Sequence, residues 1–410
     1  MIIKMKYLLK ITFFFLLIPS LRAEEPQNKD WRESWENIGL LYKDENNPLI
    51  QKIHLHGRNQ YQFGYVDGSA NGNDFDYDTD EFRRMYGGAT LNLLNSLEIS
   101  GRANYFKDTH PKGGSAREFN FQNMWYLFGR IDVKDTLGVD GFDKLKIGYG
   151  ARELAVSEEW NESSRRIKTV ERSAISNKIW PFDSEYSNPT GIWIESSRNN
   201  VSTELGVFSS TQDDWLASWD DGHVVWGKAV FDVSENSKFD KTEVLLNGWY
   251  QDAEISEDRL GGGLEWATSA AVRITEGPLG IRFNGILGDN GDQTKAEREG
   301  SFWGFVVLPT YWLIDDKLEA VGRYQYQGSD NAQGIRLYSR YVRRADDALN
   351  IGLPNGGRGD EHHSFYTGLN YYISGNRMKI MAGIQYDDIT SGGDDIYNGL
   401  SLFAALRSYF

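Results

Sequence analysis

The charged residues of this 410-residue chain are unevenly distributed. Between Ser163 and Lys178 stand Arg165, Arg166, Lys168, Arg172 and Lys178, opposed by Glu171 alone, a local balance of +4. Guanidinium groups offer paired N–H donors that match phosphate or carboxylate oxygens, and a lysine beside them acts as a point charge. Held in a narrow, poorly hydrated passage, such a segment lowers the barrier for anions and raises it for cations. Its flanks are acidic, with Glu153, Glu158, Glu159 and Glu162 before it and Asp183 and Glu185 after it. Two uses stay open, and both can hold together. The cations line a route for anions, or they pair with those flanks and pin the segment in place.

Competing chemistry has less support. There are no cysteines, which excludes disulfides, thiolate metal sites and thiol nucleophiles. No nucleophile-elbow, zincin or P-loop pattern is present, so a rim-bound hydrolase is only a remote alternative. No cofactor or metal is expected, and nucleic acid is not an expected partner. His54 and His56 share a strand face but have no third ligand, and His362-His363 has no metal-binding spacing. "DFDYDTD", from Asp74 to Asp80, alternates carboxylates like the start of a calcium loop but lacks its glycine and distal glutamate. It reads as an acidic external loop that bridges divalent cations to lipid headgroups or keeps the loop soluble.

The elements that must carry these residues are strands. In "IHLHGRNQYQFGY", Ile53, Leu55, Tyr61, Phe63 and Tyr65 alternate with His54, His56, Arg58, Gln60 and Gln62. Leu318, Ala320, Tyr324 and Tyr326 alternate with Glu319, Arg323, Gln325 and Gln327. Met378, Ile380, Ala382, Ile384 and Tyr386 do so with Arg377, Lys379 and Gln385. Segments of about ten residues with period 2 have the length that crosses a bilayer when tilted. About sixteen such segments follow one another from residue 51 to the end, and no long helical pattern competes with them. Short connections (Asn95-Ser96, Asn199-Asn200, Glu276-Gly277, Asp315-Asp316, Ser374-Gly375) alternate with long polar ones (Asp67 to Asp80, Arg152 to Pro189, Thr211 to Gly222, Asp289 to Gly300, Gly328 to Glu361). The expected fold is all-β, a transmembrane antiparallel β-barrel of about sixteen strands whose longest early connection folds inward as a constriction loop.

Both ends agree with export to a bacterial outer membrane. Lys4, Lys6 and Lys10 precede an apolar run, Ile11 to Ile18, and a break after Ala23, so residues 1–23 read as a signal peptide. Residues 24–50 read as a periplasmic segment, with Trp31, Trp35, Ile38 and Leu41 at helical spacing. In "LFAALRSYF", Leu400, Leu402, Ala404, Leu406 and Phe410 are expected to face outer-membrane lipid, and Ser401 and Arg407 the lumen. A last strand ending in Phe410 resembles the signal that outer-membrane proteins present to the barrel assembly machinery, with Ser408 where an aromatic is usual. Removing Lys4, Lys6, Lys10 and Arg22 with the signal peptide takes the formal charge from -15 to about -19.

Three stretches carry a resemblance to the phosphate-selective porin O and P family. They are "EFRRMYGGATLNL", "KLKIGYGARE" followed by "SSRRIKTVERSAIS", and "FYTGLNYYISGNRMKIMAGIQY". The resemblance implies a homotrimeric, sixteen-stranded passive channel for small anions such as phosphate, with Arg165, Arg166, Lys168 and Arg172 at its constriction. A general or cation-preferring porin is the alternative within the same architecture. Tyr149-Gly150-Ala151-Arg152 replaces the family's Pro-Phe-Gly element and brings Arg152 among the candidates. Arg83 and Arg84 match an arginine pair on the family's second strand. Neighbours in a strand point oppositely, so only one is expected in the lumen, and the apolar company of Arg83 favours Arg84. Arg172 lies where the loop turns back to the wall, which suits a structural role as well as an ion contact. Arg102 and Lys146 complete the wall candidates.

Overall fold

The computed structural model describes residues 35, 38–108, 117–180, 188–210, 219, 222–252, 264–293 and 295–410. The signal peptide and most of the expected helical segment lie outside them, as do Asp183 and Glu185. Sixteen antiparallel strands form a closed ring: β1 Ile50–Ala70, β2 Asn73–Leu93, β3 Leu97–Asp108, β4 Arg117–Asp132, β5 Lys144–Ala151, β6 Thr190–Arg198, β7 Val201–Ser209 and β8 His223–Asp232, followed by β9 Lys241–Asp252, β10 Trp266–Glu276, β11 Leu279–Asp289, β12 Ser301–Ile314, β13 Leu318–Ser329, β14 Glu361–Ser374, β15 Met378–Ser391 and β16 Asp394–Tyr409. Each strand pairs with its successor, and β16 pairs with β1 from Tyr397↔Ala70 to Tyr409↔Arg58. Closure leaves no edge along the ring, the arrangement that satisfies backbone groups in lipid. A four-residue strand, Leu40–Lys43, pairs with the start of β1, so the tail of the expected helical segment is extended.

The alternation sorts side chains as expected. On β16, Leu400 and Leu406 are exposed on the outer face, while Ser401 and Arg407 are buried inside. Gln325, Gln327 and Lys379 are fully buried, which a water-filled lumen would not do. Much of the interior is solid.

Two expectations are corrected. Asp67 to Asp80 is not a long loop. β1 and β2 run through it to a two-residue turn at Asn71-Gly72, with φ of 49° and 74°. Asn-Gly suits a hairpin turn that needs two positive φ values, and an Asp/aromatic alternation is itself a period-2 strand pattern. The second correction concerns Arg83 and Arg84. Gln60 pairs with Arg84 and Tyr61 with Phe82, so Arg83 is an extra residue in a β-bulge. The bulge breaks strict alternation. Arg83 and Arg84 both turn inward, Arg83 to Glu171 at 2.9 Å and Arg84 to Gln60 at 2.9 Å.

Candidate functional site

The interior is filled chiefly by the connection between β5 and β6. A short helix, α1 (Val133–Leu137), follows β4. Ser157 caps a second, α2 (Glu158–Asn161), and Ser173 a third, α3 (Ala174–Lys178), each accepting a bond from a backbone N–H three residues on. Leu154, Val156, Val170, Ile175 and Ile179 are buried against the inward Trp193, Phe208, Trp226, Trp249 and Phe302 of the wall. This apolar core lies inside the barrel, and its burial is the main force that folds the loop inward.

Charges then fix its position. Buried Glu158 accepts from Arg273 at 2.8 Å and Arg282 at 3.0 Å, and Glu159 from Arg323 at 3.3 Å. Glu171 accepts from Arg83 and, at 2.7 Å, from Gln62. Burial opposes ionisation of Glu171, but Arg83 and Arg84 outweigh it and hold the carboxyl well below the usual carboxylate range. Lys379 donates to the Ile167 carbonyl at 2.8 Å, and Arg407 to the carbonyls of Ser164 and Val170. Arg58 donates to the hydroxyls of Ser163 and Ser164 at 3.0 and 2.6 Å. Glu158, Glu159 and Glu162 therefore pair with arginines of the wall, not with the loop's own cations.

Those cations divide. Arg172 is buried, donates to the carbonyls of Glu159 and Glu162 at 2.9 and 2.8 Å, and stacks 3.8 Å over Trp160. It pins the loop to itself. Buried Lys178 bonds Asn290 at 2.6 Å, and Lys168 pairs with Glu319 at 2.7 Å. Arg165 lies 4.4 Å from the Tyr409 ring, and Arg166 is exposed. Among the described residues, no carboxylate is within ion-pair distance of Arg165, Arg166 or Arg102, whose guanidinium stacks on Tyr126 at 4.8 Å. Burial lowers the affinity of Arg165 for its proton. Tyr409 works against this, while Arg166, Arg102 and Arg377 add to it. Arg166, Arg102 and Arg377 thus each lie close enough to Arg165 to repel it. Arg152 pairs with Glu204 at 2.7 Å between Trp193 and Trp226, and Lys146 faces Asp132 at 3.9 Å. Both are wall pairs, separate from the arginine group.

A second inward element comes from the long connection before β14. Ser339 caps α4 (Arg340–Leu349). Arg340 and Arg344 both bind Glu81 of β2, which is fully buried, Arg340 through bonds of 2.6 and 2.8 Å. Tyr341 lies over Gly64, where a Cβ would meet its ring at 2.6 Å. Gln62 bonds Glu81 at 3.0 Å as well as Glu171, so α4 and the constriction loop share one wall contact. Sequence reasoning missed Glu81, Arg340 and Arg344. On the sequence alone the nearby Arg83 is partner enough for Glu81, so nothing pointed to arginines 259 and 263 residues away.

No family model matches the chain, and no curated protein matches its sequence. Its backbone is similar to solved outer-membrane structures. A form of OmpT of Vibrio cholerae lacking loop L8 gives a TM-score of 0.55 at 12% identity, covering 87% of this chain and 99% of that one. An anion-selective porin from Comamonas acidovorans gives 0.54 at 12%, with the same coverage. The outer membrane channel DcaP of Acinetobacter baumannii gives 0.51 at 11%, covering 90% and 100%. At these identities the likeness is one of fold. The class so defined is the closed, sixteen-stranded antiparallel β-barrel.

Proposed function

We propose that this chain is an outer-membrane porin, a passive diffusion channel that prefers small anions, phosphate among them. The observation that carries the reading is the group of Arg102, Arg165, Arg166 and Arg377, the first three with no carboxylate at ion-pair distance among the described residues. Elsewhere inside the barrel, the inward carboxylates Glu81, Glu158, Glu171, Glu195 and Glu319 are held by cations. In a low-dielectric passage a fixed charge left without a partner dominates the local field. The porin resemblance of the sequence supports the same reading, and extends it to a homotrimer and to recognition of Phe410 by the assembly machinery.

The test is the reversal potential across a planar bilayer under a potassium chloride gradient. The native channel should show chloride preference at low salt, fading as salt rises and screening shortens to ~8 Å or less. Replacing Arg165 and Arg166 with Gln should remove most of that preference, whereas Lys168→Gln should change it little, since Glu319 already neutralises Lys168. A native reversal potential of the cation sign overturns the anion reading and favours the cation-preferring porin, for which the carboxylates of Asp74 to Asp80 at the β1–β2 tip would speak.

A further inference from the structure

Strands β9, β10 and β11 bring Glu243, Arg273 and Arg282 into one cross-strand row facing the lumen. Two arginines directly opposite each other repel unless something bridges them. Glu158 of the constriction loop does so, but through Nε of Arg273 and Nη1 of Arg282. Arg273 Nη2 also donates to the Glu158 carbonyl at 3.3 Å, while among the described residues no carboxylate comes closer than 3.6 Å to Arg273 Nη1, Arg273 Nη2 or Arg282 Nη2. Glu162 Oε1 lies 3.6 Å from Nη2 of each arginine, and Glu243 Oε2 lies 3.7 Å from Nη1 of Arg273. These distances are beyond hydrogen-bond reach.

The arginine pair faces a cavity of about 250 Å³ between the loop and this part of the wall. It is smaller than sites for drug-sized ligands, which begin near ~300 Å³. Its lining carries both signs. Lys168 is already occupied by Glu319 at 2.7 Å and Lys241 by Glu243 at 2.7 Å, which leaves the arginine pair as the open cationic wall. A simple anion bound there would sit beside Glu162 and Glu243, and a simple cation beside two guanidiniums. A solute with both charges meets neither penalty.

We infer that this cavity binds a small zwitterion of the amino-acid class. Its carboxylate accepts from Nη1 of Arg273 and Nη2 of Arg282, and its ammonium donates to Glu162 and Glu243. The site lies at a different part of the constriction from the Arg102–Arg165–Arg166 group. It requires that the channel admit solutes, but not that it prefer anions.

The experiment is single-channel recording in potassium chloride with L-alanine, or with uncharged lactamide of similar size, added to the native protein. L-alanine should interrupt the current with a frequency that saturates, and lactamide should not. Glu243→Gln, which removes a carboxylate at the cavity's edge without touching the Glu158 anchor, should weaken the apparent affinity for L-alanine roughly tenfold, the order of one charge-assisted contact. Interruptions that are absent, equal for both solutes or unchanged in E243Q overturn the inference. A cation-type reversal potential with intact L-alanine interruptions would sink the anion reading alone. A protein that passes no current overturns both.

Discussion

At the scale of single residues, the interior separates charges that hold the structure from charges with no carboxylate partner among the described residues. Arg172 belongs to the first kind. Its buried guanidinium serves two carbonyls and an indole. Arg172→Gln leaves those carbonyls short of donors, a change worth ~2–4 kcal/mol. The expected result is a lower melting temperature and noisier conductance, with reversal potential nearly unchanged; bilayer recording and thermal unfolding check both. Glu171 gives a pH prediction. A carboxyl held low contributes its full stabilisation above the ordinary carboxylate range, and loses it progressively as pH falls from that range through the lowered value. Conductance of the native channel should therefore stay steady from pH 7 down through ~4.3, where a free glutamate would be half protonated. In Arg83→Gln the loss should move up toward that value, and a pH titration of current noise reads it directly. The cationic run was legible in the sequence because its charges are contiguous. Its division was not, since Lys168 finds Glu319 and Glu171 finds Arg83, partners 151 and 88 residues away.

At the scale of elements, period-2 patterning located the strands because one face is apolar and outward and the other meets polar groups inside. It failed where a loop was expected to be irregular and was instead a continuation of the strand, as at Asp74–Asp80. It could not see the bulge at Arg83. Nothing in "EFRRMYG" requires an extra residue, and only the register with β1 reveals it. Helix α4 offers the element-scale test. Gly64→Val places a side chain where the Tyr341 ring lies, an overpacking penalty of ~1–3 kcal/mol. The barrel should close as before while α4 leaves the wall and releases Arg340 and Arg344. Conductance should rise, and trypsin should cut within Arg340–Arg344 in folded protein. Unchanged conductance with protected arginines would show that α4 tolerates the change.

At the scale of the whole molecule, the wall is a shell around a second, internal core. That core bears on the order in which the chain can assemble. The loop's anchors include Arg407 on β16 and Arg58, Gln60 and Gln62 on β1, the two strands that meet last in a sequential ring. Ser164 thus joins residues 243 and 106 positions away. Because both seam strands hold the loop, we expect it to be seated while the sheet is still open, with the seam closing over it. Contacts of such long sequence separation are slow to form. Deleting residues 157–178 should let the seam close faster in detergent refolding, followed by heat-modifiable gel mobility. The product should come apart at lower temperature, because the staple across its last-formed joint is gone. The constriction is in this sense the mandrel on which the barrel is wound.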